Sequence, residues 1–106
     1  MKTYKLNNMK RGWFVGNFLP TCYNLPECEV ACQYYKKGDV EDRHVHKVAT
    51  ELTLIAVGHA SMNGIDLQPG DILMLDPQES SDFQALEDTI SIVVKIPSIS
   101  GDKYPA

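Results

Sequence analysis

Proline and glycine cut this chain so finely that strands have room to form and helices of useful length do not. Gly38, Gly58, Gly64, Pro69-Gly70, Pro77, Pro97 and Gly101 bound runs of strand length, and both residue types interrupt helices while marking turns. Period-two patterning fills the runs. In "TISIVVKI" the residues Ile90, Ile92, Val94 and Ile96 share one face, and Thr89, Ser91, Val93 and Lys95 share the other, as in a half-buried strand. "ECEVACQYY" alternates likewise, with Cys28, Val30, Cys32 and Tyr34 set against Glu27, Glu29, Ala31, Gln33 and Tyr35. "TELTLIAVG" and "DILMLD" are rich in β-formers and apolar on both faces, so both are expected at the centre of a sheet.

Turn chemistry agrees with this division. Asn63-Gly64, between "GHASM" and "IDLQPGD", is the dipeptide a type I′ hairpin requires, because both central residues must take positive φ. Pro69-Gly70-Asp71 turns the chain again. Only "SSDFQALED" offers a capping serine followed by helix formers, and it has length for two turns at most. Many short strands joined by regular turns predict an all-β sandwich or small barrel. At 106 residues the expectation is one domain, residues 1–106, with a single core.

Composition narrows the function. Ten Lys and Arg against 14 Asp and Glu give a net charge of −4 with no basic stripe, which argues against nucleic acid as a partner. "MKTYKLNNMKRGWF" lacks an apolar segment of signal-peptide type, and "LTLIAVG", the longest uncharged apolar run, is far shorter than a membrane span. A cytoplasmic protein without membrane contact is expected. The cysteines, Cys22, Cys28 and Cys32, are odd in number. On one strand Cys28 and Cys32 stand about 13 Å apart at roughly 3.3 Å per residue, beyond the roughly 7 Å a disulfide spans. All three are therefore expected as reduced, small buried side chains.

The chemistry concentrates in "GDVEDRHVHKVATELTLIAVG", residues 38–58. On a strand, residues i and i+2 point the same way, so His44 and His46 present two imidazoles to one side. Taken alone, the pair fits an exposed strand end as well as a metal site. Glu51 lies an odd number of residues beyond His46 and would face the opposite side of a straight strand. A break in the pleat between Lys47 and Ala49 is required for Glu51 to join them. Glu51, Thr53, Ile55 and Val57 then share the inner face, and Thr50, Leu52, Leu54 and Ala56 the outer. A lone ionised glutamate in so apolar a run needs a compensating partner.

Gly38, five residues, His44-x-His46, four residues, Glu51, six residues and Gly58 fill every fixed position of the first motif of the cupin superfamily, G(X)5HXH(X)3–4E(X)6G, which this chain resembles. The resemblance implies a double-stranded β-helix, the cupin jelly-roll barrel, as a small single-domain cupin. It also implies that His44, His46 and Glu51 bind a divalent metal such as Fe, Mn, Zn or Ni, with His44 and His46 able to serve catalysis directly. The second motif, G(X)5PXG(X)2H(X)3N, is not matched. Gly70 and Pro77 are six residues apart, Gln78-Glu79 stand where glycine is expected, Asp82 holds the histidine position and Leu86 the asparagine position. His59 is expected at a surface turn.

Charge sets what Asp82 changes. Two neutral imidazoles and Glu51 leave a divalent ion at net +1, and Asp82 as fourth ligand brings the site to zero, making a weaker Lewis acid. Asp82 is either that ligand or a loop or helix-capping residue. The resulting expectation is a metal-binding protein acting on a small oxygen-rich metabolite, of oxygenase or isomerase/epimerase type, with a non-catalytic metabolite- or metal-binding module as the alternative. "RGWFVGNF", "PECEV", "YYKKG" and "HVHK" also resemble, in order, elements of the cupin-type sugar-nucleotide ketoisomerases. That likeness implies a metal-free site in which His44 or His46 is the general base. Trp13, Phe14 and Phe18 are expected to pack on the barrel or across a dimer, and an apolar N-terminal strand favours a homodimer. "SGDKYPA" reads as an exposed tail or a segment docked on a neighbouring subunit.

Overall fold

The chain turns where its backbone permits. Asn63 and Gly64 have φ of 51° and 72°, as a type I′ hairpin requires. Gly58 has φ of 94°, and a Cβ there would lie 2.2 Å from the Asp88 carbonyl oxygen, so only glycine lets the chain leave its strand at this point.

The computed structural model describes residues 1–106 as ten strands: β1 (Trp13–Val15), β2 (Glu29–Tyr35), β3 (Val40–Val45), β4 (Thr50–Val57), β5 (Ala60–Met62), β6 (Ile65–Leu67), β7 (Ile72–Leu75), β8 (Ser80–Ala85), β9 (Thr89–Ile96) and β10 (Tyr104–Pro105). Short 3-10 turns at Leu6–Asn8 and Lys10–Gly12 precede them. The strands form two five-stranded sheets, ordered β1-β2-β9-β4-β7 and β10-β3-β8-β5-β6. All pairings between strands are antiparallel. Ile55, Ala60, Met62, Leu67, Leu75, Phe83 and Ala85 make the apolar core, with Tyr35 and Leu73 packed against it.

Several expectations need correction. "SSDFQA" is strand β8, not a helix. Ser81, Phe83 and Ala85 alternate into the interior, and pairing with β3 and β5 outweighs local helix propensity. β7 is an edge strand rather than a central one, with Ile72 and Met74 exposed. A register shift between Ile55 and Val57 pairs Val57 with Ile90 and turns it outward. The cysteines are unpaired as expected, yet each is only half-buried.

The largest surprise concerns which face turns inward. Along β9 the buried residues are Thr89, Ser91 and Val93, while Ile90, Ile92 and Val94 are half-buried and Ile96 is exposed. Along β2, Ala31 is fully buried and its interior neighbours are Glu29, Gln33 and Tyr35. Eight polar side chains are buried beside ten apolar ones, so this interior is built as much around polar groups as around a core.

Candidate metal centre and cavity

Strand β3 delivers His44, and His46 follows directly after its last residue. The pleat then breaks at Lys47 and Val48 before β4 begins at Thr50. This is the break that places Glu51 in phase with the histidines. Glu51, Thr53 and Ile55 are all buried on the inner face. One donor atom from each of His44, His46 and Glu51 can be chosen so that all lie within 4.8 Å of one another.

The break is held from far away in the chain. Asp102 is buried, and its carboxylate accepts hydrogen bonds from the amides of Lys47 (2.8 Å), Val48 (3.1 Å) and Ala49 (2.9 Å). Burial alone would raise its carboxyl, but these three amides hold it below its ordinary value. The Asp102 carbonyl oxygen also accepts from His46 Nδ1. Two residues on, Tyr104 and Pro105 pair with Val45 and His44, and the Lys47 ammonium sits 4.0 Å from the centre of the Tyr104 ring. The segment expected as an exposed tail, or as docked on a neighbouring subunit, is thus docked on β3 of its own chain.

These contacts settle the histidine tautomers. His46 donates from Nδ1 to a backbone carbonyl, and His44 Nδ1 lies 2.9 Å from the Asp42 carbonyl. With the proton on Nδ1, each Nε2 keeps a lone pair, the arrangement in which metal-ligating histidines are normally oriented. His46 Nε2 is buried and has no hydrogen-bond partner. The closest acid, Glu51 Oε1, is 3.4 Å away, too far for an aligned bond of ordinary strength. Burial pushes the Glu51 carboxyl up, whereas the His46 ring, when it also carries a proton on Nε2, and the Lys95 ammonium pull it down, and the balance lies below its ordinary value. A buried carboxylate and an unpartnered buried imidazole nitrogen facing each other fit a cation between them.

Beside the donors lies a cavity of about 150 Å³, whose wall includes Arg11, Trp13, Gln33, Tyr35, Ser91 and Lys95. Cross-strand register sets its chemistry. Glu29, Lys95 and Glu51 form one row across β2, β9 and β4, and Gln33, Ser91 and Ile55 form another. Burial pushes the Lys95 ammonium down against the opposing pull of Glu51 and Glu29, and its Nζ stands 4.9 Å from the centre of the Trp13 ring. Burial, then the Glu41 carboxylate, pushes the Tyr35 hydroxyl well above its ordinary range; that hydroxyl donates to Gln33 Oε1 at 2.8 Å. Ser91 Oγ is buried without a partner. Sequence reasoning missed this wall, because period-two patterning groups the polar positions of β2 and β9 by face without telling which face turns inward.

Asp82 lines the same cavity as His44 and Glu51 but is not in the cluster of close donor atoms. Its carboxylate accepts from the Asn63 amide at 2.8 Å and lies 3.5 Å from Arg43 Nη2, and the group of clustered donors comprises His44, His46 and Glu51 only. His59 lies at the bend after β4, paired with Asp66. Trp13 packs on the barrel through β1, as expected, and also lines the cavity.

No protein-family model and no curated protein matches the sequence. Solved structures do match. A Klebsiella pneumoniae protein with a double-stranded β-helix domain aligns at 24 % identity and TM-score 0.66, over 73 % of this chain and 69 % of that one. A cupin superfamily protein from Desulfitobacterium hafniense aligns at 18 % and 0.64, over 70 % and 71 %. The DMSP lyase DddQ from Ruegeria pomeroyi aligns at 15 % and 0.74, over 89 % of this chain but 49 % of its own length. Identities this low carry the fold and leave the activity open. The chain has the double-stranded β-helix fold of the cupins, as its first motif led one to expect.

Proposed function

We propose that His44, His46 and Glu51 hold a divalent cation, and that the adjoining cavity takes a small oxygen-rich molecule for chemistry of the oxygenase or isomerase/epimerase type. The observation that carries this reading is His46 Nε2, buried without a partner and facing a buried carboxylate. Two imidazoles and one carboxylate suit Fe, Mn, Zn or Ni. A bound cation of this kind supplies Lewis acidity to a ligand oxygen. The chain's own groups supply the rest. Lys95 and Arg11 offer charged donors, Ser91 Oγ an uncommitted hydroxyl, and Tyr35 a hydroxyl that stays protonated at any physiological pH. The volume suits a ligand of few heavy atoms.

Elemental analysis of untagged protein, followed by calorimetric titration with each candidate metal, tests the reading. One equivalent of metal is expected for the wild type and none for His46→Ala. Full occupancy in that variant would refute the ligand assignment. A second reading keeps the site metal-free. The His46 ring, held between a carbonyl and a carboxylate, is also oriented as a general base would be. Activity that persists in chelator would select that reading.

A further inference from the structure

Ser91 is the least explained side chain of the interior. It is 1 % exposed, sits in the cavity wall, and its Oγ has no hydrogen-bond partner, so the hydroxyl is desolvated with nothing to offset the cost. The register of β9 shows what surrounds it. Lys95 lies between Glu29 and Glu51, Val93 between Ala31 and Thr53, and Ser91 between Gln33 and Ile55. The two ends of this series are about 13 Å apart along the strand at roughly 3.3 Å per residue. The Lys95 side chain reaches toward Trp13, which pairs with Ala31 of the middle row, and this brings the span from ammonium to hydroxyl to the order of 10 Å. Val93, with Met62 and Phe83 from the facing sheet, gives the cavity an apolar stretch as well.

We propose that the cavity takes a short hydroxycarboxylate, with its carboxylate at Lys95 beside the cation site and its hydroxyl on Ser91. The charged end of this ligand depends on the cation proposed above; its hydroxyl end does not. Three basic and four acidic side chains line the cavity, so a divalent cation at His44, His46 and Glu51 leaves one positive charge over, the complement of a single carboxylate. Lys95 takes part in none of the chain's ion pairs and is free to meet it. The Ser91 end is neutral. Gln33 commits both ends of its amide, donating to the Arg11 carbonyl at 3.1 Å and accepting from the Tyr35 hydroxyl at 2.8 Å, and the Arg11 guanidinium is engaged by Glu41 at 3.5 Å. What remains is the Ser91 O–H to donate and the Tyr35 oxygen to accept. A ligand hydroxyl does both, whereas a second carboxylate can only accept and would lose its hydration without a cation. Hydrogen bonds of about 2.8 Å at each end leave roughly 4–5 Å between the ligand's own oxygens, a separation of a few methylenes. The volume agrees: about 150 Å³ equals about five waters at roughly 30 Å³ each, or a molecule of about seven heavy atoms.

Calorimetric titration of β-hydroxypropanoate, γ-hydroxybutanoate and δ-hydroxypentanoate into the metal-loaded protein, beside butanoate and succinate, tests the assignment. γ-Hydroxybutanoate should bind roughly 3- to 10-fold more tightly than butanoate, the worth of one hydrogen bond. It should also bind at least roughly 10-fold more tightly than succinate, whose second carboxylate finds no cation at Ser91. In Ser91→Ala the advantage over butanoate should vanish while the affinity for butanoate holds; a purely structural serine would shift both ligands alike. Lys95→Met should weaken both by at least roughly 10-fold and leave their ratio unchanged. Elemental analysis of the same sample separates this assignment from the cation site. Full metal with no binding by any of the three hydroxycarboxylates at tens of millimolar would overturn the hydroxycarboxylate and leave the metal standing. A chain that takes up no metal would overturn the cation site, and the preference for γ-hydroxybutanoate over butanoate is then required of the metal-free protein. Tightest binding by succinate, or a Ser91→Ala variant that keeps the hydroxyl preference, would overturn the proposal as well. If that variant does not fold, the order of γ-hydroxybutanoate, butanoate and succinate on the wild type decides.

Discussion

Alternate residues of β2, β9 and β4 build two surfaces of opposite character from the same strands. Inward, the row Glu29-Lys95-Glu51 is charged and the row Gln33-Ser91-Ile55 mostly polar; outward, Val30-Val94-Leu52 and Cys32-Ile92-Leu54 are apolar throughout. Strand periodicity tells which side chains share a surface and is silent about which surface faces the interior. The usual rule, apolar inward, assumes that the interior has no task beyond stability. Here part of it holds a cavity with ionised groups, and the apolar residues of three strands lie on the opposite side.

The contrast can be broken most severely where the inner face is purely structural. Ile55→Ala, at a fully buried position, should cost about 2–5 kcal/mol in chemical denaturation. Met74→Ala on the outer face should cost under about 1 kcal/mol at low protein concentration; equal losses would erase the distinction between the faces. Next comes the donor set. Glu51→Gln removes the ligand charge at constant shape, and metal affinity by calorimetry should fall by at least roughly 100-fold, more than the loss of a supporting group produces. Asp102→Ala touches no donor side chain directly but frees three amides and loosens the bend, so affinity should fall roughly 10- to 100-fold. The fold should lose about 1–3 kcal/mol with it.

The smallest effect is the acid limb of stability. Glu51 and Asp102 both have folded-state carboxyls held below their ordinary values. Their contributions are therefore complete above the unfolded carboxylate range, near pH 4, and are lost as pH falls through the lower folded values. Thermal midpoints should be flat from neutrality to about pH 5 and fall below it. Asp102→Asn should shallow that fall. A wild-type midpoint that rises on acidification would contradict the direction assigned to both groups.

Much of the site was readable because its grammar is local. His44 and His46 need only the two-residue repeat of a strand, and the odd offset to Glu51 demanded a break that does occur at Lys47 and Val48. Asn63-Gly64 specified its hairpin through φ alone. What escaped depended on remote pairing. Asp102 stands 56 residues from the ring it orients, and nothing in "SGDKYPA" distinguishes a docked aspartate from a solvated one. β8 carries a helical signature that its neighbours in the sheet override, and Val57 changes sides through a bulge without a glycine or proline to announce it. The polar lining of the cavity was visible as a pattern, but its direction was not.

The contact between Asp102 and the Lys47–Ala49 amides has a consequence for the order of events during synthesis. His44, His46 and Glu51 lie within eight residues of one another, yet the loop joining them takes its final shape only when a carboxylate synthesised 53 residues after Ala49 arrives. A nascent chain with β3 and β4 already emerged would hold its imidazoles loosely, and secure capture of an ion would wait until Asp102 has left the ribosome and docked.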